Sequence, residues 1–316
     1  MKIINFTILL FLLITITQLA SSEQSNETLN LNKQNQSQKQ IQIIKGLDDD
    51  LDLGIPDSIQ VQIVKVDDGS TFMGRIIEIG EEKIKFKTKH GVITIPIFEI
   101  INLELISDDQ IREGEYWFPN PNSSRLFFAP TGRMLKQEEG YFADYYIFFP
   151  TLTFGITNNI TLGGGISIIP GLGLDEQILF FTPKVGIKTS KKMDLAIGAL
   201  AVKLVEDAPN LGILYGVSTY GSLDKSITLG LGYGYFDNKL ADKPIVLLGG
   251  EIRTHKNLSL VTENWSIPGL DIPIVSLGLR FFGEKLSTDF ALVFFPLEDS
   301  VNIIPYIDFV YKFKLN

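Results

Sequence analysis

Large apolar and small residues alternate without a break over Ser226–Tyr235. One face of such a strand carries isoleucine, leucine and tyrosine, and the other carries only serine, threonine and glycine. A soluble β-sandwich also alternates, but it turns its large apolar side chains inward and a charged face outward. Glycine and hydroxyl residues opposite a bulky apolar face are typical of a barrel whose outer surface contacts lipid and whose interior is polar.

The pattern recurs often enough to close a barrel. It is found again in Asn159–Ile168 and in Ile307–Phe313. Single-chain bacterial barrels have an even number of strands. The sequence predicts twelve, with ten as the alternative because the first strand has the weakest pattern. The predicted strands are 124–129, 142–156, 159–169, 178–188, 193–204, 211–221, 226–236, 245–254, 258–265, 273–282, 287–296 and 303–314.

Alternate connections between these strands are tight, as at Thr157–Asn158 and His255–Lys256. Outer-membrane barrels have their short turns on the periplasmic side, so a periplasmic N-terminus would place all of these turns there. The predicted fold class is therefore all-β, with an antiparallel up-and-down barrel over residues 124–316. We expect outer-membrane lipid to surround it.

The N-terminus has the features of an export signal. Lys2 is followed by an apolar run, Ile8–Ile14, and by the small residues Ala20, Ser21 and Ser22. The run is short for a membrane anchor. We therefore predict a signal peptide over residues 1–22, cleaved near Glu23, and localisation to a bacterial outer membrane.

Two segments are predicted between the signal peptide and a linker. Residues 23–57 are rich in Asn, Gln, Ser and Lys and are expected to form a disordered tether. The pattern of residues 58–106 predicts short strands with tight turns. We expect them to form a small SH3-like or Sm-like barrel in the periplasm, where it could contact a protein partner. Residues 107–123 are the predicted linker.

The lysine-rich strand Lys83–Lys89 is open to two interpretations. Its four lysines could form an RNA surface, or they could be a solvated edge that discourages edge pairing. The second is favoured because aromatic stacking partners are missing and the chain carries a net charge of −9. No nucleic acid is expected as a partner.

The inventory of reactive residues is small. The chain has no Cys and only two His, His90 and His255, neither beside a serine at the predicted outer boundary. A serine hydrolase needs a base, usually His, and two separated His make no metal site. No metal, no cofactor and no enzymatic activity are expected, with an outer-membrane hydrolase as the one exception kept open.

Position within each late strand predicts which charges point into the lumen. These candidates are Glu251, Arg253, Glu263, Arg280, Asp289, Asp308 and Lys312. Both signs are present on neighbouring strands, so they could form an ion-pair network that braces the interior. Alternatively, they could line a pore that selects solutes by charge.

Several motifs resemble an uncharacterised family of bacterial outer-membrane-type barrel proteins with a small N-terminal SH3/Sm-like domain. The motifs are Tyr116–Arg125, Phe127–Pro130, Gly140–Tyr141 and Gly155–Ile160. The resemblance covers most of the chain from about Asp68 and implies the barrel fold, but it implies no activity and no catalytic residue. One departure is the terminus, Phe313-Lys314-Leu315-Asn316, because outer-membrane barrels usually end in an aromatic residue.

Two functions are compatible with these features. The first is an outer-membrane barrel that acts as a structural protein or as a porin-like passive solute channel, with a periplasmic interaction domain. The alternative is a closed barrel that binds an apolar small ligand.

Overall fold

The computed structural model describes residues 53–56, 60–106, 110–173, 176–203, 211–237, 239–297 and 300–315. They form two compact units, one ending at Phe118 and one beginning at Pro119. The predicted signal peptide and most of the predicted tether lie outside the described residues. Within the described ranges, no helix has the length and apolar character needed to cross a membrane.

The first unit contains a five-stranded antiparallel sheet in the order β4-β3-β2-β1-β5. Its strands are β1 (Val61–Val66), β2 (Thr71–Ile79), β3 (Lys83–Thr88), β4 (Gly91–Pro96) and β5 (Ile100–Ile106), with a 3-10 turn at Ile97–Glu99. A short hairpin follows, formed by β6 (Ile111–Arg112) and β7 (Glu115–Tyr116). The alternating pattern of β3 buries Ile84 and Phe86 in the core of the sheet, and its lysines point outward.

Two local features stabilise the sheet. A Cβ on Gly74 would lie 2.1 Å from the Lys87 carbonyl oxygen, so only glycine allows β2 to approach β3 here. In the first hairpin, the Ser70 amide donates to Asp68 Oδ1 over 2.7 Å, and this bond lowers the pKa of Asp68 below its ordinary value. The predicted SH3/Sm-like barrel is not confirmed, because no ladder joins the edge strands β4 and β5 in the described residues.

The second unit is a closed antiparallel barrel of twelve strands, as the alternating pattern predicts. Each strand pairs with the next along the chain, and pairing of β20 with β8 closes the ring. The ring strands are β8 (Glu139–Tyr145), β9 (Phe149–Thr157), β10 (Ile160–Ile166), β11 (Leu179–Ser190), β12 (Met193–Lys203), β13 (Leu211–Gly221), β14 (Lys225–Phe236), β16 (Ile245–His255), β17 (Leu258–Ser266), β18 (Ile274–Phe282), β19 (Leu286–Leu297) and β20 (Ser300–Lys314). The short β15 (Lys239–Leu240) adds only to the end of β14.

The two ends of the barrel differ in their connections. At the end where β8 begins, called the N-terminal end, the turns are short, as at 158–159 and 256–257. At the opposite end, called the loop end, four of the six connections are longer, and one runs from residue 167 to residue 178. Inside and outside alternate as predicted in β14, where Leu229 is 53% exposed and Thr228 is fully buried.

The count of twelve is correct, but two of the predicted strands are wrong. The segment Ser124–Ala129 is not a barrel strand, because all its residues except Phe128 are buried inside the ring and its backbone folds back on itself. The predicted strand Phe142–Ile156 is two strands, β8 and β9. The turn between them contains Tyr146 and Ile147, both with positive φ (53° and 70°). One missing strand and one additional strand leave the total unchanged.

Candidate functional site

The candidate site is the lumen, which contains the segment 119–138, called the inner segment. It contacts residues near the N-terminal end at both extremes: Asn120 donates to Glu251 (2.6 Å), and the Arg133 guanidinium donates to the Ser222 carbonyl. Between them the chain reaches the middle of the lumen and turns back. The turn is closed by Leu126 donating to the Ala129 carbonyl (2.8 Å). The inner segment is therefore a re-entrant loop, and residues 125–130 are its tip.

One carboxylate holds the tip. Glu263 Oε2 accepts hydrogen bonds from the backbone amides of Phe127, Phe128 and Ala129, each at 2.9 Å. Its other oxygen accepts from the Trp265 indole at 2.8 Å. Hydrogen bonds to an ionised acceptor are about twice as strong as neutral ones. A single side chain of β17 thus satisfies three adjacent backbone donors that would otherwise be buried without partners.

A buried arginine on the neighbouring strand also binds the tip. Arg280 on β18 forms a two-pronged pair with Asp289 at 2.8 and 2.7 Å and lies 3.0 Å from Glu251 Oε2. It also donates to the carbonyls of Asn122 (2.8 Å) and Leu126 (2.7 Å). These five hydrogen bonds to four residues surround a guanidinium that is fully buried, so this side chain joins three strands to the inner segment.

Two further cations complete the contacts. Arg125, within the tip, lies 2.5 Å from Asp308. Both side chains are buried, so each supplies the counter-charge of the other. Lys184 on β11 donates to the carbonyls of Ser124, Thr131 and Arg133 at 3.2, 3.2 and 2.7 Å.

The buried charges of the described lumen are balanced. Four are cations and four are anions: Arg125, Arg133, Lys184, Arg280, Glu251, Glu263, Asp289 and Asp308. Removing one partner of a buried pair costs far more than the pair itself contributes. The cluster therefore acts as an anchor for the inner segment.

The structure brings five of the seven predicted lumen residues into this cluster: Glu251, Glu263, Arg280, Asp289 and Asp308. The other two lie at the N-terminal end of the barrel. Arg253 pairs with Asp224 (3.0 Å), and Lys312 pairs with Glu139 (3.1 Å). Neither contacts the cluster in the described hydrogen bonds and ion pairs.

Three cations of the cluster are missing from the sequence-based set: Lys184, Arg125 and Arg133. Lys184 has the correct position in its strand, since the neighbouring Val185 points outward and is 48% exposed, so the same alternation could have identified it. The two arginines carry no such signal, because the inner segment has no periodic pattern.

The loop-end half of the lumen differs from the predicted polar interior. Its inward residues are mainly apolar and surround a chamber of about 380 Å³. Phe128 at the tip forms the floor, where its ring packs against Tyr145, Tyr146 and Tyr306 with centroids 4.6–6.1 Å apart. The lumen therefore consists of a charged half filled by the inner segment and an apolar half that remains open.

The histidines and carboxylates that the structure describes form no metal-binding group. His255 lies in the turn region at the N-terminal end, with Nδ1 3.3 Å from the Thr254 hydroxyl. No three or more His, Cys, Asp or Glu in the described part of the chain are grouped so that they could hold a metal ion.

No protein-family model matches the sequence, and no curated protein matches it. Among solved structures, a KdgM porin is similar with 9% identity and a TM-score of 0.41, over 56% of this chain and 98% of the porin. A loop-deletion mutant of OmpT, an outer membrane protein of Vibrio cholerae, is similar with 10% identity and a TM-score of 0.31, over 80% of this chain and 96% of that one. At such scores the matches identify neither family nor function, and the barrel assignment rests on the strand pairing.

Proposed function

We propose that this chain is an exported outer-membrane barrel protein with a structural role, whose lumen is obstructed by the inner segment. The observation that carries the proposal is the outer face of the ring. Every barrel strand except β8 carries at least one large apolar side chain that is exposed there, such as Ile197 (67%), Leu277 (57%) and Ile303 (57%). Soluble monomers rarely expose apolar side chains over a continuous surface of this kind.

The distribution of charge supports the same proposal. At the outward positions of the ring strands, the charged residues are Asp144, Lys203 and Lys225, and each lies at or next to the end of its strand. A charged side chain on the lipid-facing surface costs about 2–4 kcal/mol at the bilayer midplane and little near the interfaces. The outer face thus has the charge pattern that a bilayer requires.

Because the inner segment occupies the lumen, a structural role is favoured over an open passive channel. It hydrogen bonds to β11, β13, β16, β17, β18 and β20, which together surround the lumen. A solute could cross only if the inner segment left or rearranged. The predicted absence of enzymatic activity stays a prediction.

Membrane insertion is tested by cell fractionation together with heat-modifiability on gels. We expect the full chain in the outer-membrane fraction, with an unheated band that migrates differently from the heated one. A refolded protein that stays soluble and monomeric without detergent would overturn the proposal.

Obstruction of the lumen is tested by conductance in planar bilayers. We expect wild type to conduct much less than an open barrel, and Glu263→Gln to conduct more because the neutral amide binds the tip amides less strongly. Glu138→Gln is the control, since Glu138 is exposed. Large, steady conductance in wild type would contradict the obstruction and favour the passive channel.

For the small unit, we propose that residues 58–106 contact a periplasmic protein. Phe98, Ile101 and Leu105 support this, since they are 70%, 54% and 60% exposed. The test is crosslinking in intact cells: a specific crosslinked product should form with wild type and be lost with Phe98→Ser. An identical product with both proteins would show that this surface does not bind the partner.

A further inference from the structure

The apolar chamber in the loop-end half of the lumen has the size of a ligand site. Its volume of about 380 Å³ falls within the range of about 300–1,000 Å³ that is usual for small-molecule pockets. It extends to the loop end of the ring, because Leu211, Ile245 and Ile274 line it and are the first residues of their strands. A ligand would therefore enter from the loop end.

Two of the three charged side chains that line the chamber are already satisfied by the protein. Glu263 accepts four hydrogen bonds, and Lys184 donates three. Neither has capacity left for a charged ligand. The third, Arg125, is ion-paired, and its Nε has no hydrogen-bond partner within the described residues. The rest of the chamber wall is mainly apolar, with large contributions from Phe149, Phe180 and Trp265 and a few serine and threonine hydroxyls.

One hydroxyl in the wall lacks a partner. Thr161 Oγ1 on β10 lines the chamber, is buried, and forms no hydrogen bond within the described residues. A buried polar atom without a partner costs about 1–3 kcal/mol, so a bound group that hydrogen bonds to it would be favoured. Thr153 and Thr182, which also line the chamber, have their hydroxyls close to Gly163, and a Cβ there would lie 2.6 and 2.5 Å from them.

From this geometry we infer that the chamber binds a small, largely apolar molecule that carries one neutral hydrogen-bonding group, such as a medium-chain alcohol. The apolar part contacts the aromatic wall, and the polar group bonds to Thr161. The inference rests on the proposed function in that the chamber exists only in the folded barrel.

The chain supplies its own reporter. Of its two tryptophans, Trp265 lines the chamber, and Trp117→Phe removes the other. The full-length protein is folded into lipid vesicles, folding is verified by heat-modifiability, and 10-bromodecan-1-ol is added as a quencher. We expect saturable quenching of Trp265 fluorescence, in contrast to the linear quenching that partition into lipid alone would produce.

A site-specific block distinguishes the chamber from the lipid face. Because the chain has no Cys, a single one can be placed at Ile213, which lines the chamber, or at its neighbour Leu214, which is outward and 48% exposed. After labelling with a benzyl thiosulfonate, Ile213→Cys should lose saturable quenching, and labelled Leu214→Cys should keep it. Failure of Ile213→Cys to react, or equal quenching in both labelled proteins, would overturn the inference.

The hydrogen-bonding group is tested with Thr161→Val, which keeps the shape of the side chain. We expect the affinity for 10-bromodecan-1-ol to fall about fivefold to tenfold and the affinity for 1-bromodecane to be unchanged. An equal change for both quenchers would overturn the role of Thr161. A folded, membrane-inserted protein without saturable quenching would refute the ligand site and leave the outer-membrane proposal intact.

Discussion

The two halves of the lumen are built from the same strands but stabilised in different ways. Near the N-terminal end, strand positions carry Arg280, Asp289 and Asp308, and the space between them is filled by backbone. Toward the loop end the same strands carry Ile274, Val293 and Tyr306, and the space is left open. Charged side chains are tolerated in the first half because they pair with one another and with side-chain and backbone groups of the inner segment. In the second half no such segment is present in the described residues, and apolar side chains line the wall.

The largest effect is expected from Arg280→Met. Without the guanidinium, Asp289 and Glu251 lose their buried counter-charge, which costs about 3–5 kcal/mol. The free energy of unfolding, measured by urea titration in vesicles, should fall by that amount. Adding Asp289→Asn should restore part of it, because one unpaired charge is removed. A loss of less than about 1 kcal/mol would show that the charged half is not what holds the inner segment.

A smaller effect is expected from Gly132→Ala. The added Cβ would lie 2.3 Å from the Asp194 carbonyl oxygen, so the inner segment has to move away from β12. Overpacking of this kind costs about 1–3 kcal/mol, and bilayer conductance should rise as the loop loosens. Gly283→Ala is the control, because nothing lies within 4 Å of its added Cβ. Equal destabilisation by both variants would exclude this explanation.

In the apolar half, Phe128→Ala should lower the free energy of unfolding by about 1–2 kcal/mol. This is less than for truncation of a fully buried phenylalanine, because the Phe128 side chain is 45% exposed. The variant enlarges the chamber floor, so quenching of Trp265 by 10-bromodecan-1-ol should change while conductance stays low. A rise in conductance equal to that of Glu263→Gln would show that the apolar half also helps to hold the inner segment in the lumen.

The smallest effect is expected from Lys312→Met. Its ion pair with Glu139 spans 3.1 Å at the N-terminal end, and the lysine side chain is 26% exposed. Pairs in contact with solvent contribute about 0–1 kcal/mol. Urea titration should show a change within this range, and a loss as large as that of Arg280→Met would contradict the distinction between the cluster and the barrel end.

The barrel was predictable because alternation is a local property of each strand. Glycine and threonine opposite leucine are visible in β14 without knowledge of its neighbours. The turn between β8 and β9 was not predictable, since Tyr146 and Ile147 adopt positive φ without glycine, proline or asparagine to mark them.

The position of the inner segment was also hidden, for a different reason. The backbone amides of Phe127 and Ala129 are bound by a carboxylate on β17, so their environment depends on a residue more than 130 positions away. The strand-by-strand pattern predicts that Glu263 points inward, but not that backbone is there to meet it. The apolar chamber is hidden in the same way, because it depends on how far the tip reaches.

The capture of the tip has a consequence for the order of assembly. The inner segment is made before any barrel strand, yet its partners Glu263, Arg280 and Asp308 are on strands that are made late. Contacts between such distant parts of a chain slow folding, because a long loop must be closed before any of them forms. Until those strands arrive, the amides of 127–129 need another partner. We therefore expect the ring to close around a segment that is already in place, so that β20 meets β8 only after the carboxylates have engaged the tip.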